Sequence, residues 1–319
     1  MGAFMLFGRY IFQCRFTSPA TLPAFKGSML RGAFGHALKK VVCALRRKTC
    51  ADCLLSETCV YSLIFEPHAI PADRGNNRTR TAVRPHPYVL QPPADNGRAY
   101  EKGDAFLFGL TFFGTANDFL PHIIYAVAQM GETGLGRKEE NGRGCFNLAA
   151  VEADGVRLYD GDKKILLQGH TLKALDLLPP PTNHVTSLTV KLLTPLRLKH
   201  DNRFQQTLPF HLLIRAALRR ISTLEEAFGQ GEPQLDYRGL VSRAEQVVTK
   251  ESDCCWVDIE RYSNRQKTGM LMGGLLGTLI YEGELAEFLP LLEYCEVTHL
   301  GKQTAFGLGR ILIGAGDGE

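Results

Sequence analysis

The apolar positions of this chain fall into two kinds of run. Residues 10–16, 106–113, 187–193 and 275–281 are short stretches rich in aromatic and branched side chains, and they predict strands. After the first of them, Leu30, Ala33, Phe34, Ala37, Leu38 and Val41 recur at three- and four-residue intervals, which places them on one face of a helix. After the third, a second helix is expected over 209–221. Residues 177–181, Leu-Leu-Pro-Pro-Pro, continue neither element and mark a linker, giving domains at 1–178 and 184–319.

The two halves carry the same punctuation. Phe119-Leu120-Pro121 with Tyr125 recurs as Phe288-Leu289-Pro290 with Tyr294, and Gly-Leu-Gly-Arg follows each copy, at 134–137 and 307–310. A strand run precedes both. The shared order of strand, helix and glycine-rich loop predicts a duplicated unit of the order β-α-β-β-α-β. That is a ferredoxin-like, RRM-like arrangement, so the expected fold class is α+β, with two tandem domains built on antiparallel sheets. Residues 66–100 fit neither copy: six prolines and the arginines Arg74, Arg78, Arg80 and Arg84 predict an extended insertion along a sheet edge.

Composition agrees with a folded chain of two domains, at 319 residues with 45% hydrophobic and 22% charged positions. The longest uncharged apolar run, 270–280, is too short for a membrane-spanning helix. Arg9 and Arg15 interrupt the apolar start, which argues against a signal peptide. The nine cysteines, odd in number and unevenly spread, read as thiols or metal ligands in a cytoplasmic protein.

A net charge of +4 conceals a strong asymmetry, because Asp52 is the first acidic residue. Before it stand Arg9, Arg15, Lys26, Arg31, Lys39, Lys40, Arg46, Arg47 and Lys48. A second basic stretch carries Lys191, Arg197, Lys199, Arg203, Arg215, Arg219 and Arg220 against Asp201 alone. Two such regions are suited to a polyanion, and a nucleic-acid strand is the expected partner.

Two motifs carry a resemblance: Lys26-Gly-Ser-Met-Leu-Arg-Gly-Ala-Phe-Gly-His-Ala-Leu, and Gly301-Lys-Gln-Thr-Ala-Phe-Gly-Leu-Gly-Arg near the end. Over essentially its whole length the chain resembles the RAMP superfamily of CRISPR-associated proteins, most closely the endoribonuclease that cuts precursor CRISPR RNA within its repeats. The resemblance implies metal-independent cleavage by a 2′-hydroxyl, a 2′,3′-cyclic phosphate product that is retained, and CRISPR repeat RNA as partner. Other subunits of a CRISPR effector complex are further partners it suggests. It also implies a rival, since the superfamily supplies effector subunits that bind RNA without cutting it.

That chemistry needs a base, an acid and positive charge beside the phosphorane. His36, with Lys39 and Lys40 three and four residues on, offers all three on one helix face, and Gly32 and Gly35 are expected to leave the surface open to a backbone phosphate. The resemblance carries its general acid or base onto His36 and its lysine onto Lys40, with no counterpart for its tyrosine. His200 is the second candidate, with His211 and His299 behind it. The residues expected to grip RNA are Lys26, Arg31, Arg46, Arg47, Lys48, Arg197, Lys199, His200, Arg203, Lys302 and Arg310, with Gly301, Gly307 and Gly309 offering backbone amides. Cys43, Cys50, Cys53 and Cys59 lie within 17 positions and predict a metal site, structural zinc or alternatively an iron–sulfur cluster. Cys14, Cys145, Cys254, Cys255 and Cys295 read as core thiols.

Overall fold

The computed structural model describes residues 4–45, 48–66, 84–140, 142–167, 169, 171–182, 184–263 and 268–316. It divides into two compact units, one formed by Leu6–Lys173 and the other by Ala174–Glu319 with Met1–Met5.

The first unit is built on β1 (Phe4–Phe16), followed by the short β2 (Ala20–Thr21), α1 (Gly27–Val42) and α2 (Val60–Phe65). Then come β3 (Tyr88–Gln91), β4 (Ala99–Tyr100), β5 (Ala105–Phe113) and α3 (Leu120–Thr133). The hairpin of β6 (Leu135–Glu139) and β7 (Gly142–Gly144) leads into β8 (Phe146–Ala153), β9 (Val156–Asp160) and β10 (Ile165–Leu166). The main sheet runs β10-β9-β8-β1-β5-β3. Its pairs are antiparallel. The four strands β1, β3, β5 and β8 therefore lie in the order fourth, first, third, second, with α1 and α3 as the two crossovers. This is the ferredoxin-like order expected from the repeat.

Period-2 patterning explains the sheet. Tyr10, Phe12, Cys14 and Phe16 point into the core, while Arg9 and Arg15 remain exposed. Phe12 stacks on Phe108 across the β1–β5 pair, with centroids 5.1 Å apart. Leu30, Phe34, Ala37 and Leu38 of α1 are buried as the helical spacing requires, with Ala33 and Val41 at the margin. Each fully buried Leu or Phe contributes about 1.5–3 kcal/mol.

After β11 (Lys173–Asp176), the second unit repeats the plan: β12 (Ser187–Leu196), the hairpin β13 (Lys199–His200) and β14 (Arg203–Phe204), and α4 (Phe210–Phe228). It continues with α5 (Tyr237–Ala244), β15 (Val248–Ser252), β16 (Cys255–Ser263), β17 (Thr268–Glu282), α6 (Leu289–Thr298) and β18 (Ile311–Gly316). The sheet order is β15-β17-β12-β18, with β16 also on β17. Taking β12, β15, β17 and β18 as strands one to four, the order is again ferredoxin-like. The long apolar run of 270–280 lies in β17, and no helix among the described residues is long and apolar enough to cross a membrane.

The repeated motif keeps its backbone as well as its spacing. In both copies a 3-10 turn ends at the phenylalanine, and the proline occupies the first turn of the following helix, where no amide partner is lost. Gly134, Gly136, Gly307 and Gly309 all have positive φ, between 71° and 90°. The continuations differ: the first copy enters the β6–β7 hairpin, the second goes straight into β18. The 66–100 stretch is described only in part. Residues 67–83, with Pro67, Pro71, Arg74, Arg78 and Arg80, lie outside the described residues, but 88–91 form β3, a fully buried strand at the sheet edge.

Candidate nucleic-acid interface

α1 carries His36, Lys39 and Lys40 in its last two turns, where Lys39 and Lys40 also complement the negative end of the helix dipole. His36 and Lys40 are exposed and one turn apart. One turn before His36, a Cβ added to Gly32 would meet nothing within 4 Å. Gly32, His36 and Lys40 therefore form an open strip along the helix. Gly35 does not extend it: its missing side chain lets the Phe65 ring pack against α1, where a Cβ would lie 2.9 Å from that ring. Lys39 turns the other way, its Nζ 5.0 Å from the centre of the Tyr61 ring, which itself stacks on Phe65 at 5.4 Å. Tyr61 was invisible to periodicity because α2 has only six residues.

Several cations of the first basic region are structural. Lys26 is 1% exposed, and its ammonium donates to the Asp95 carbonyl at 2.9 Å and to Asp95 Oδ1 at 3.3 Å, pinning the loop before β4 to the start of α1. It is removed from the RNA-gripping set. Asp95 would be pushed up by burial, but hydrogen bonds from Tyr100 and Lys26 hold its carboxyl below the usual aspartate range. Arg31 lies over the Phe65 ring at 5.3 Å with Nη2 3.4 Å from His86 Nε2, so it too is committed to packing. Lys48 is exposed, and Arg46 and Arg47 lie outside the described residues.

The cysteine segment forms successive turns closed by Cys53 N to Cys50 O, Ser56 N to Cys53 O and Cys59 N to Leu55 O. Cys43, Cys50, Cys53 and Cys59 are half-buried free thiols. Among the described residues no group of three or more His, Cys, Asp or Glu side chains is placed to hold a metal ion, although Cys43 and Cys59 are near enough to Cys50 to act on its thiol. Burial pushes the Cys50 thiol up, and the nearness of Glu66, Cys59 and Cys43 acts in the same direction against Lys39, which favours the protonated form. Of the supposed core thiols, Cys14 and Cys295 are buried, Cys145 and Cys254 are half-buried, and Cys255 is exposed.

In the second unit, Lys199 and His200 pair with Phe204 and Arg203 across a two-residue turn. Asp201 and Asn202 both take positive φ, 47° and 64°, as a tight hairpin of this kind requires. Gln205 Nε2 closes it by donating to the carbonyls of His200 and Arg203. Lys199 and Arg203 project into solvent, and His200 is half-buried with Nε2 3.4 Å from Asp201 Oδ2.

The glycine-rich loop lies against the strand that leads into this hairpin. Lys302 N donates to Arg197 O at 3.0 Å, Gly309 N to Pro195 O at 3.0 Å, and Arg310 N to Thr194 Oγ1 at 2.9 Å. The amides of Phe306, Gly307 and Leu308 bond to Thr304 or Gln303 carbonyls. The glycines therefore serve close backbone packing, Gly301 fitting against Arg197 O with φ 76°, and these amides are not offered to a phosphate. What the loop supplies is the exposed Lys302, whose amide is anchored on Arg197 O, with Arg310 half-buried.

Arg220 of the second basic region is half-buried, and His299 is fully buried. Arg220 donates twice to Thr298 O, at 2.7 and 3.2 Å, and burial lowers its pKa to about 10. His299 is 0% exposed at the end of α6, with Nδ1 3.3 Å from Leu308 O, which removes it from the catalytic candidates. His211 is half-buried in the first turn of α4.

Comparison with known proteins agrees with this architecture. A protein of Archaeoglobus fulgidus described as an uncharacterized protein is 27% identical over 294 residues, 90% of this chain and 91% of its own. A partial Cas6-RT-Cas1–Cas2 complex superposes with a TM-score of 0.59 at 13% identity; 98% of this chain is matched, but it spans only 46% of that one. Thermus thermophilus Cas6 superposes with a TM-score of 0.54 at 13% identity, covering 97% of this chain and 98% of that one. Residues 5–174 match the family model AF_1859_N, an N-terminal domain, and residues 190–311 match the CRISPR-associated endoribonuclease Cas6. With more than half of its length taken by the first model, the chain belongs to the family with the AF_1859-type N-terminal domain, here followed over residues 190–311 by a segment that matches the CRISPR-associated endoribonuclease Cas6.

Proposed function

We propose that this protein processes precursor CRISPR RNA by metal-independent transesterification and keeps hold of the product. The reading is supported above all by the exposed strip of Gly32, His36 and Lys40 on α1, where an imidazole and an ammonium share a surface that a phosphodiester can reach without steric hindrance. His36 exchanges the proton, since histidine is the side chain suited to both acid and base work near neutral pH. The 2′-hydroxyl loses its proton and attacks the adjacent phosphorus. The bond to the 5′-oxygen breaks, and that oxygen takes a proton as it leaves. The products are a 2′,3′-cyclic phosphate and a 5′-hydroxyl. Lys40 balances the charge that gathers on the phosphorane, while Lys39 stays over the Tyr61 ring. The Lys199–Arg203 hairpin and Lys302 bind the backbone.

The test is incubation of the protein with a labelled repeat RNA in EDTA, beside the same RNA with one 2′-deoxy nucleotide at the cut site. Cleavage of the all-ribose strand alone is expected, with His36→Ala slowing it by about 10²–10⁴. RNA bound but intact in both lanes would make this a non-cleaving RNA-binding subunit. An undiminished rate in His36→Ala would move the chemistry to another residue.

A further inference from the structure

Phe204 is 43% exposed on a short hairpin and belongs to no hydrophobic core. The Arg197 guanidinium covers one side of the ring, its Cζ 4.0 Å from the centroid. Arg197 is itself fixed, with Nη1 donating to the Leu271 carbonyl at 3.0 Å. Trp256, the only tryptophan of the chain, stands beside Phe204 with centroids 6.5 Å apart and planes at 49°. Its indole is held by a 2.9 Å hydrogen bond to Asp258 Oδ1. Lys199 is the direct cross-strand partner of Phe204, and Lys302 issues from the residue whose amide bonds to Arg197 O.

An exposed aromatic with immobilised neighbours costs little conformational entropy to use, and cations around it select an anionic partner that also presents a flat face. Asp258 accepts the Trp256 indole N–H, and Asp201 lies 3.4 Å from His200. We infer that Phe204, backed by Arg197 and flanked by Trp256, is a stacking seat for one unpaired RNA base, with Lys199 and Lys302 on the adjoining phosphates. The inference rests on the RNA-processing reading and deepens it: the substrate must present at least one unstacked nucleotide to the second unit.

The experiment uses the full chain and two probes, an oligouridylate of about 12 nucleotides and an abasic ribose-phosphate strand of equal length. Because Trp256 is the sole tryptophan, its emission reports directly on the seat. Quenching by the base-containing strand alone is expected, together with binding about tenfold or more tighter than the abasic strand. Phe204→Ala and Phe204→Leu should both erase that difference, and Phe204→Tyr should keep it; the leucine variant retains bulk without a π-face. Equal binding of both strands by the wild type, or a preference that survives in Phe204→Leu, overturns the seat while leaving RNA binding intact. Failure of the wild type to bind either strand, or the repeat RNA, overturns the functional reading and the seat with it.

Discussion

The Tyr294 hydroxyl donates to Glu225 Oε1 at 2.9 Å, with both residues buried at 1% exposure or less. Its counterpart in the first copy of the motif, Tyr125, is 56% exposed. Identical spacing has thus produced a core hydrogen bond in one unit and a surface ring in the other.

Burial raises the Glu225 carboxyl above the usual glutamate range, and the Tyr294 bond only partly opposes this. The folded chain therefore keeps that proton to higher pH than the unfolded chain does. The resulting stability is complete below the ordinary glutamate range and is lost as pH rises through the elevated value. Tyr294→Phe removes the donor that favours the ionised form, so it should cost about 1–2 kcal/mol at neutral pH and less in mild acid. Tyr125→Phe should change stability by less than about 0.5 kcal/mol. Urea unfolding of the three proteins at acidic, neutral and mildly alkaline pH tests this; matching curves for the two variants would refute it.

Lys26 and Lys199 should separate cleanly by what they perturb. Lys26→Met removes a buried ammonium and its hydrogen bonds, with an expected loss of about 1.5–3 kcal/mol in stability and no change in the salt dependence of RNA binding. Lys199→Ala, on the exposed hairpin, should leave unfolding unaltered and reduce the log–log salt slope by about 1. A shallower salt slope in Lys26→Met would return that residue to the RNA-binding set.

Glycine replacement should act in opposite directions at two sites. Gly32 is an exposed helix position with open space around it, so Gly32→Ala should stabilise by about 0.5–1 kcal/mol while placing a methyl group beside His36 and slowing cleavage. At Gly309, φ is 71° and an added Cβ would run into the Leu300 carbonyl, so Gly309→Ala should destabilise by about 1–3 kcal/mol. Thermal unfolding beside single-turnover cleavage reads both effects. Equal destabilisation at the two positions would contradict the open strip on α1.

Arg220→Ala should behave as a core mutation. It removes both hydrogen bonds to the end of α6, with an expected cost of about 2–3 kcal/mol, and RNA affinity per folded molecule should stay at the wild-type level. A stable variant with weakened RNA binding would mean that Arg220 faces the strand after all.

The strand and helix order and the duplicated motif with its glycine-rich loops were legible in the sequence, because periodicity and glycine placement are consequences of local backbone geometry. The exposure of His36 and Lys40 also followed from the apolar face of α1, since a helix that buries Leu30, Phe34 and Leu38 presents its other side to solvent. Charge was a poorer guide. Lys26 is satisfied by Asp95, 69 positions away, and Arg220 by Thr298, 78 positions away. His299 is likewise held by the Leu308 carbonyl, and the amides of Lys302 and Gly309 by the strand before the hairpin. A basic side chain declares its charge in the sequence, but whether that charge meets solvent or a buried carbonyl is set by which distant segment the fold brings against it, and only the tertiary structure decides that.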